Sequence, residues 1–300
     1  MLMLHGQPSW SYLYRFMIAD LADRGYRAVA MDHLGFGLSD KPVDLGAHSF
    51  LNHADRLVAF VDALDLGDDV TLFAQDWGSV IGLYVAGGDL DLFDRIVIGN
   101  GGLPLVESPA EWPRDVDASN RTFHRMLTLV PADQPPFFDS EGNSTLPGGG
   151  GRQGGADLFG QWAAYAQTYE GFRPSVMVEA LTYRALTDAE EVAYDAPYPD
   201  RIAMAGPRTF PSLRDELVGI TAERREALTS YRRPFLTVFG RNDPGLAGEG
   251  DGQPWMTETI PGAQGQPHQR IPDASHFLQE DKGPEIAAMV DAFVRSTPRP

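Results

Sequence analysis

The segment FAQDWGS places an aspartate, Asp76, at a turn of a kind that commonly carries a nucleophile. Residues 69–75 have the pattern of a buried strand, and a helix is predicted from about Gly78, so the turn between them is tight. Ala74 and Gly78 supply the small residues that such a turn needs two positions before and after the reactive residue. A carboxylate in this position attacks saturated carbon and forms an alkyl ester. The segment therefore indicates a substrate with a leaving group on sp³ carbon.

Two further side chains could complete the chemistry, because an ester needs a base to activate water and the base needs a carboxylate to orient it. His276, in PDASHFLQE, follows the last predicted strand, and Asp243, in FGRNDP, follows the strand before it. The carboxyl ends of parallel strands meet at one edge of a sheet. Taken alone, Asp76 would be a helix N-cap and a single histidine would be structural. Nucleophile, acid and base in the expected order favour the catalytic interpretation.

The elements that must position these residues alternate between strand and helix at both ends of the chain. This alternation predicts an α/β fold, a mostly parallel sheet flanked by helices, with its main domain over 1–103 and 227–300. Ser49 is the expected N-cap of one helix. Strands are predicted in the opening MLML and over 26–32, 69–75, 95–100, 234–240 and 269–273, and helices over 10–26, 50–64, from 78 and over 284–294.

The middle of the chain, residues 104–226, has a different pattern. It is helical and irregular, with scattered aromatic residues, and we interpret it as a helical cap inserted between strands of the sheet. Its glycine-rich stretch LPGGGGRQGG, 146–155, is predicted to be a surface loop. Those glycines lack the strand-then-helix context that a phosphate-binding loop requires.

Bulk composition excludes several classes of function. The formal net charge of −18 and pI near 4.6 disfavour nucleic acid and anionic membranes as partners. The chain has no cysteine and no apolar run long enough to span a bilayer. The chain has no signal-peptide pattern, so we expect a cytoplasmic location. Because it opens inside the fold, we expect that its first strands are missing. We also expect a monomer. No cofactor or metal is expected, since five histidines show no ligand spacing: His33, His48, His53, His124 and His268.

Five motifs carry a resemblance that covers nearly the whole chain outside the cap. They are HGQPSWSYLYR, DHLGFGLSDKP, AQDWGS, FGRNDP and ASHFLQED. They resemble the haloalkane dehalogenases of the α/β-hydrolase superfamily. The resemblance implies that Asp76 displaces halide from a small halogenated alkane, and that His276 with Asp243 activates water to release an alcohol. In another branch of that family the acid lies where this chain has Asn100, which leaves Asp243 as the acid.

The same resemblance implies the groups that stabilise negative charge. The backbone N–H groups of Gln7 and Trp77 would form the oxyanion hole. The indole N–H groups of Trp77 and Trp162 would bind the halide, because an indole only donates hydrogen bonds. Phe159 and Phe36 are candidate pocket walls.

Two alternatives remain open at this point. An epoxide hydrolase has the same type of triad and activates the epoxide oxygen with cap tyrosines, and a non-catalytic ligand-binding protein could share the fold. The H-G-Q-P turn and the paired tryptophans argue against the first, and the intact triad argues against the second. The available tyrosines are Tyr165, Tyr169, Tyr183, Tyr194 and Tyr198.

Overall fold

The centre of the computed structural model, which describes residues 1–67, 69–128, 158–243 and 252–297, is a six-stranded sheet. Each strand is parallel to its neighbours, in the order β2-β1-β3-β4-β5-β6. The strands are β1 Leu2–Leu4, β2 Val29–Met31, β3 Thr71–Asp76, β4 Arg95–Gly101, β5 Phe235–Gly240 and β6 Gln269–Ile271.

Helices cover both faces of this sheet. They are α1 Arg15–Asp23, α2 Phe50–Leu64, α3 Trp77–Ala86, α4 Val116–Thr128, α5 Leu158–Thr168, α6 Pro174–Ala180, α7 Asp188–Asp195, α8 Ala205–Thr209, α9 Thr221–Leu228, α10 Gly252–Thr259 and α11 Leu278–Ser296. The described residues also form short 3-10 helices: η1 Ser11–Tyr14, η2 Leu45–His48, η3 Phe210–Leu217 and η4 Pro261–Ala263.

Alternate residues of each central strand enter different layers of the core. In β3, Leu72 and Ala74 pack on the side of α2 and α3, whereas Phe73 packs with residues of α1 and α11. Strand β4 repeats the pattern, with Ile96 on the first side and Val97 on the second. Because both faces are buried, these strands are apolar almost continuously instead of alternating with polar residues.

The observed elements follow the predicted ones closely. Helix α2 has the predicted N-cap, since the Ser49 hydroxyl accepts a hydrogen bond from the N–H of Asn52. The helix predicted over 10–26 is instead η1 followed by α1, and the closing helix begins earlier, at Leu278. In the cap, the described parts 104–128 and 158–226 contain helices and no strand. The glycine-rich stretch 146–155 lies outside the described residues.

The strand order places a crevice where the site is expected. From β1 the chain moves to β2 on one side, and it then returns to form β3 on the other side. Connections therefore diverge at the carboxyl ends of β1 and β3, the usual place for a site in an open parallel sheet. No helix in the described parts of the chain is both long and apolar enough to cross a bilayer.

Candidate active site

Asp76 lies at the junction of β3 and α3 in a strained conformation, with φ 52° and ψ −129°. Such a backbone is uncommon outside glycine and is found at functional turns. Two neighbouring glycines make the turn possible. A Cβ at Gly6 would lie 2.1 Å from Asp76 Oδ1, and one at Gly78 would lie 2.3 Å from the carbonyl oxygen of Leu4. The strand-to-helix turn predicted from FAQDWGS is therefore present.

Ser79 fixes this turn to the end of the neighbouring strand. Its hydroxyl donates to the backbone oxygen of Asp76 at 2.5 Å and accepts from the N–H of Gly102 at 2.8 Å. A Cβ at Gly101 would lie 2.0 Å from the Ser79 oxygen. Asp76 is thus held by the end of β4 as well as by its own strand.

The structure brings Asp76, Asp243 and His276 together. The Nε2 atom of His276 lies 3.4 Å from Asp76 Oδ2, and its Nδ1 lies 3.0 Å from Asp243 Oδ2. Asp243 is fully buried and His276 is 8% exposed. Burial acts to lower the pKa of His276, but the carboxylates of Asp243 and Asp76 outweigh it and raise that pKa to about 10.

Two buried amides, Gln75 and Asn100, form hydrogen bonds to the segment that carries His276, and the sequence did not identify either as a site residue. Gln75 Nε2 donates to the backbone oxygen of His276 at 3.1 Å and lies 3.1 Å from His276 Nε2. Asn100 donates to the backbone oxygens of Ser275 at 2.6 Å and His276 at 2.9 Å, and accepts from Gly240 N–H. For Asn100, the sequence signal was that it occupies the position where another branch of the haloalkane dehalogenases has its acid. No such signal in the sequence pointed to Gln75.

Gln7 lies beside Asp76, and its role in an oxyanion hole stays a prediction. Its backbone N–H donates to Asp76 Oδ1 at 2.7 Å. Its side chain points away from that oxygen, because Nε2 donates to the backbone oxygen of Pro207 in α8 at 2.8 Å. The Trp77 N–H stays a prediction as the second donor.

A cavity of about 340 Å³ opens beside the nucleophile. It is lined by Asp76, Trp77, Val80, Gly101, Gly102, Leu103, Pro104, Leu105, Phe159, Arg214, Leu217, Arg225 and Gly252. Phe159 is a wall of this cavity, as predicted. Phe36 is not among the lining residues and packs in the core against His5 and Phe210.

Trp162 is not among the residues that line the cavity. Its ring lies 5.9 Å from the ring of Phe123 and 6.0 Å from that of Phe172, within an aromatic cluster of the cap. Trp77 is in the cavity wall and is 5% exposed. The halide role of Trp162 stays a prediction.

Two arginines in the cavity wall, Arg214 and Arg225, were not predicted as site residues from the sequence. Arg225 donates to the backbone oxygen of Leu103 at 2.6 Å and stacks over Trp255 at 3.9 Å. Arg214 donates to the backbone oxygen of Ser108 and lies 5.4 Å above the ring of Phe159. Their positive charge favours an anion in the cavity. No sequence pattern separated these two arginines from the others.

Four more buried histidines form a cluster that begins in the H-G-Q-P turn with His5 and continues behind it with His33, His53 and His48. The first two are bonded to each other, since His5 Nε2 accepts from the His33 N–H and His33 Nε2 lies 3.1 Å from the His5 backbone oxygen. Neither ring nitrogen of His53 has a hydrogen-bond partner in the described parts of the chain. Burial lowers the pKa of His5, places that of His33 well below its ordinary value and lowers that of His53 to about 3.

A parallel sheet flanked by helices, with a candidate nucleophile at a strained strand-to-helix turn, is the architecture of the α/β hydrolases. Comparison with known families agrees, because the family described as alpha/beta hydrolase fold matches residues 1–148.

Individual relatives identify the family within the α/β hydrolases to which this chain belongs. A haloalkane dehalogenase of Mycolicibacterium paratuberculosis is 38% identical over 96% of this chain and 81% of its own length. Haloalkane dehalogenase 1 of Mycobacterium tuberculosis is 36% identical over 98% of this chain and 83% of its own. The chain therefore belongs to the haloalkane dehalogenase family.

A solved structure supports the same assignment. The haloalkane dehalogenase of Paraglaciecola agarilytica NO2, whose structure is described as tetrameric, superposes with a TM-score of 0.67 at 26% identity. The match covers 96% of this chain and 81% of that one.

Proposed function

We propose that this protein converts haloalkanes and water into alcohols, halide and a proton through an alkyl ester on Asp76. The observation that carries the proposal is the placement of the two Asp76 oxygens. Oδ1 accepts from Gln7 N–H, whereas Oδ2 faces His276 at 3.4 Å. One oxygen is therefore held for charge stabilisation and the other is available for attack.

In the first step, Asp76 Oδ2 forms a bond to the halogen-bearing carbon while the carbon–halogen bond breaks, and the bonding pair leaves with the halide. The apolar cavity favours this displacement because it removes water from the carboxylate. The Trp77 indole donates a hydrogen bond to the departing halide, worth about 1.5–3 kcal/mol for a charged partner.

In the second step, His276 Nε2 accepts a proton from water, and the resulting hydroxide attacks the ester carbonyl carbon. Gln7 N–H stabilises the charge that develops on Oδ1, and collapse releases the alcohol, protonated by His276. Alkylation has already removed the Asp76 charge, one of the causes of the raised pKa of His276. Ester formation thus makes the imidazole easier to deprotonate just before it must act as a base.

The two rival functions have less support. None of the five cap tyrosines is among the described residues that line the cavity, so no phenol is placed to activate an epoxide oxygen there. Tyr165 pairs with His124, and Tyr194 pairs with Glu280. A binding protein would not need the charged pair of Asp243 and His276 beside a strained aspartate.

The test is bromide release from a series of short bromoalkanes, with consumption of styrene oxide as the parallel control. Bromide should appear with the parent chain and disappear with Asp76→Ala. Epoxide loss without bromide would contradict the dehalogenase function, and a folded chain inactive in both assays would favour the binding protein.

The halide site is tested separately, by titrating bromide against tryptophan fluorescence. Trp77→Phe should weaken bromide binding about 10- to 100-fold, because one hydrogen bond to a charged partner is lost. Trp162→Phe is the matched change in the cap. An equal loss with Trp162→Phe would assign both indoles to the halide, and no loss would leave Trp77 as the donor.

We also propose that residues 104–226 act as the lid of this cavity. Supporting this boundary, β4 ends at Gly101 and Phe159 of α5 lines the cavity. A monomeric assembly and a cytoplasmic location remain predictions from the sequence. Size-exclusion chromatography would distinguish a monomer from a tetramer like the one described for the Paraglaciecola relative.

A further inference from the structure

The loop that carries His276 is hydrogen-bonded to the lid. We name residues 273–277, between β6 and α11, the base loop, and residues 181–184, after α6, the lid segment. The N–H of Phe277 donates to the backbone oxygen of Leu181 at 3.1 Å. The residue directly after the base is therefore joined to the lid by its backbone.

Asp281 adds a second connection between these two segments. Its Oδ2 accepts from Ser275 N–H at 2.8 Å, on the residue directly before the base. Its Oδ1 accepts from the N–H groups of Tyr183 at 2.8 Å and Arg184 at 3.0 Å. Each carboxylate oxygen thus serves a different segment, and the side chain bridges them.

The neighbouring Glu280 anchors this bridge to the rest of the fold. Its carboxylate, on a residue that is 3% exposed, is paired with Arg15 of α1 and with Arg184, and it accepts from the Tyr194 hydroxyl. Arg184 also donates to the backbone oxygen of Glu280 at 2.8 Å. The first turn of α11 is therefore fixed to both the lid and the main domain.

We propose that Asp281 is a positioning residue for the base: it keeps the base loop bonded to the lid segment, so that His276 faces the ester only while the lid is seated. This rests on the proposed function. A base works only within hydrogen-bond reach of the proton it removes, and a displacement of about 1 Å costs about 10²-fold in rate. The first step does not use the base, so it does not depend on the bridge.

The isosteric change Asp281→Asn isolates this role. An amide has a single oxygen, so it can keep the bond to one segment but must present its NH₂ group to the N–H donors of the other. Burial raises the pKa of Asp281 to about 6, against the effect of its backbone hydrogen bonds. An assay at about pH 8 therefore compares an ionised, acceptor-only carboxylate with the amide.

The measurement is rapid-quench kinetics with a bromoalkane, with mass spectrometry of the intact protein. Asp281→Asn should leave the bromide burst within about threefold of the parent and slow ester decay about 10- to 100-fold, so that the alkyl adduct accumulates in the steady state. Asp195→Asn is the matched control. Asp195 also accepts a backbone N–H, that of Ser175, but its bonds to Ser175 and Arg173 all lie within the lid. Ester decay in Asp195→Asn should therefore be as fast as in the parent.

Ester decay unchanged in Asp281→Asn, or slowed equally in Asp195→Asn, overturns the proposal. Should Asp281→Asn not fold, hydrogen exchange of the unaltered protein decides. Peptides covering the base loop and the lid segment should show the same protection factor, which is the exchange rate of the unfolded peptide divided by the observed rate. Different protection factors overturn the bridge. Failure of the dehalogenase function itself looks different, because the parent chain would then release no bromide at all.

Discussion

Two buried histidines in this molecule, His276 and His53, have opposite pKa shifts. His276, between Asp243 and Asp76, has a pKa raised to about 10, whereas the pKa of His53, behind the H-G-Q-P turn, is lowered to about 3. Both side chains are buried, at 8% and 1% exposed. Burial acts to lower both values. The carboxylates of Asp243 and Asp76 then raise the pKa of His276, whereas the neighbouring His48, Arg56 and His5 lower that of His53 further.

The comparison shows how one fold gives two buried histidines different pKa values. Carboxylates within hydrogen-bond distance orient the His276 ring and allow it to carry charge, as a base must when it accepts a proton. His53 instead packs against the ring of Phe210 at 4.6 Å and lies 6.0 Å from His48. Burial without a nearby acid keeps its imidazole neutral, and it behaves as an aromatic core residue.

The largest expected effect follows from removing the base. His276→Gln should slow ester hydrolysis about 10²- to 10⁴-fold, because no group remains to accept the proton of water. Bromide should then be released in a single burst equal to the enzyme concentration, and mass spectrometry should find the alkyl group on Asp76. Repeated turnovers by this variant would show that His276 is not the base.

A smaller effect is expected from removing the carboxylate that distinguishes His276. Asp243→Asn takes away the largest cause that raises the pKa of His276, so that pKa should fall from about 10 toward the ordinary value of 6.5. The fold would then lose stabilisation that is present below pH 6.5 and disappears as pH rises through 10.

The measurement is an NMR titration of the imidazole in the parent and in Asp243→Asn. His53 serves as the internal control, since its titration should not change. If the pKa of His276 is the same in Asp243→Asn as in the parent, the Asp243 carboxylate does not cause the pKa difference between His276 and His53.

The smallest effect concerns stability in acid. Because the pKa of His53 is lowered from 6.5 to about 3, the unfolded chain binds a proton between these values and the folded chain does not. Stability is therefore lost as pH falls below 6.5. At about pH 5 the loss from His53 alone is about 2 kcal/mol.

His53→Leu removes this titration and should flatten the dependence of the unfolding free energy on pH. Urea unfolding at about pH 7.5 and about pH 5 measures it, and the difference between the two conditions should shrink by about 2 kcal/mol. The unfolding free energy at about pH 7.5 is the control for altered packing, because His53 is neutral in both the folded and the unfolded chain at that pH. An unchanged difference would mean that His53 titrates normally in the fold.

The proximity of Asp76, Asp243 and His276 was predictable because the sequence signals for these residues are local. The strand pattern before Asp76, the small residues around it and the strands before Asp243 and His276 each occupy fewer than about ten residues. Parallel strands bring their carboxyl ends to one edge, so placing each residue after a strand was enough to bring the three together. Ser49 was found as an N-cap for the same reason.

The supporting residues could not be predicted in this way. Gln75 and His276 are 201 positions apart, and Asn100 and Ser275 are 175 apart. A buried glutamine or asparagine has no sequence pattern that names its partner, since any nearby donor or acceptor can satisfy it. The contacts of Trp162 were not predictable either: the resemblance implied a halide role, which stays a prediction, and the ring packs among cap aromatics.

The sequence by itself determined the fold class and predicted Asp76, His276 and Asp243 as the nucleophile, the base and the acid, because strand and helix periodicity and turn chemistry are properties of short segments. Only the tertiary structure decided which amides hold His276, which arginines enter the cavity wall and how Asp281 joins the base loop to the lid. Those contacts connect distant segments, and they form only when packing of the sheet, its helices and the lid brings the partners within hydrogen-bond distance.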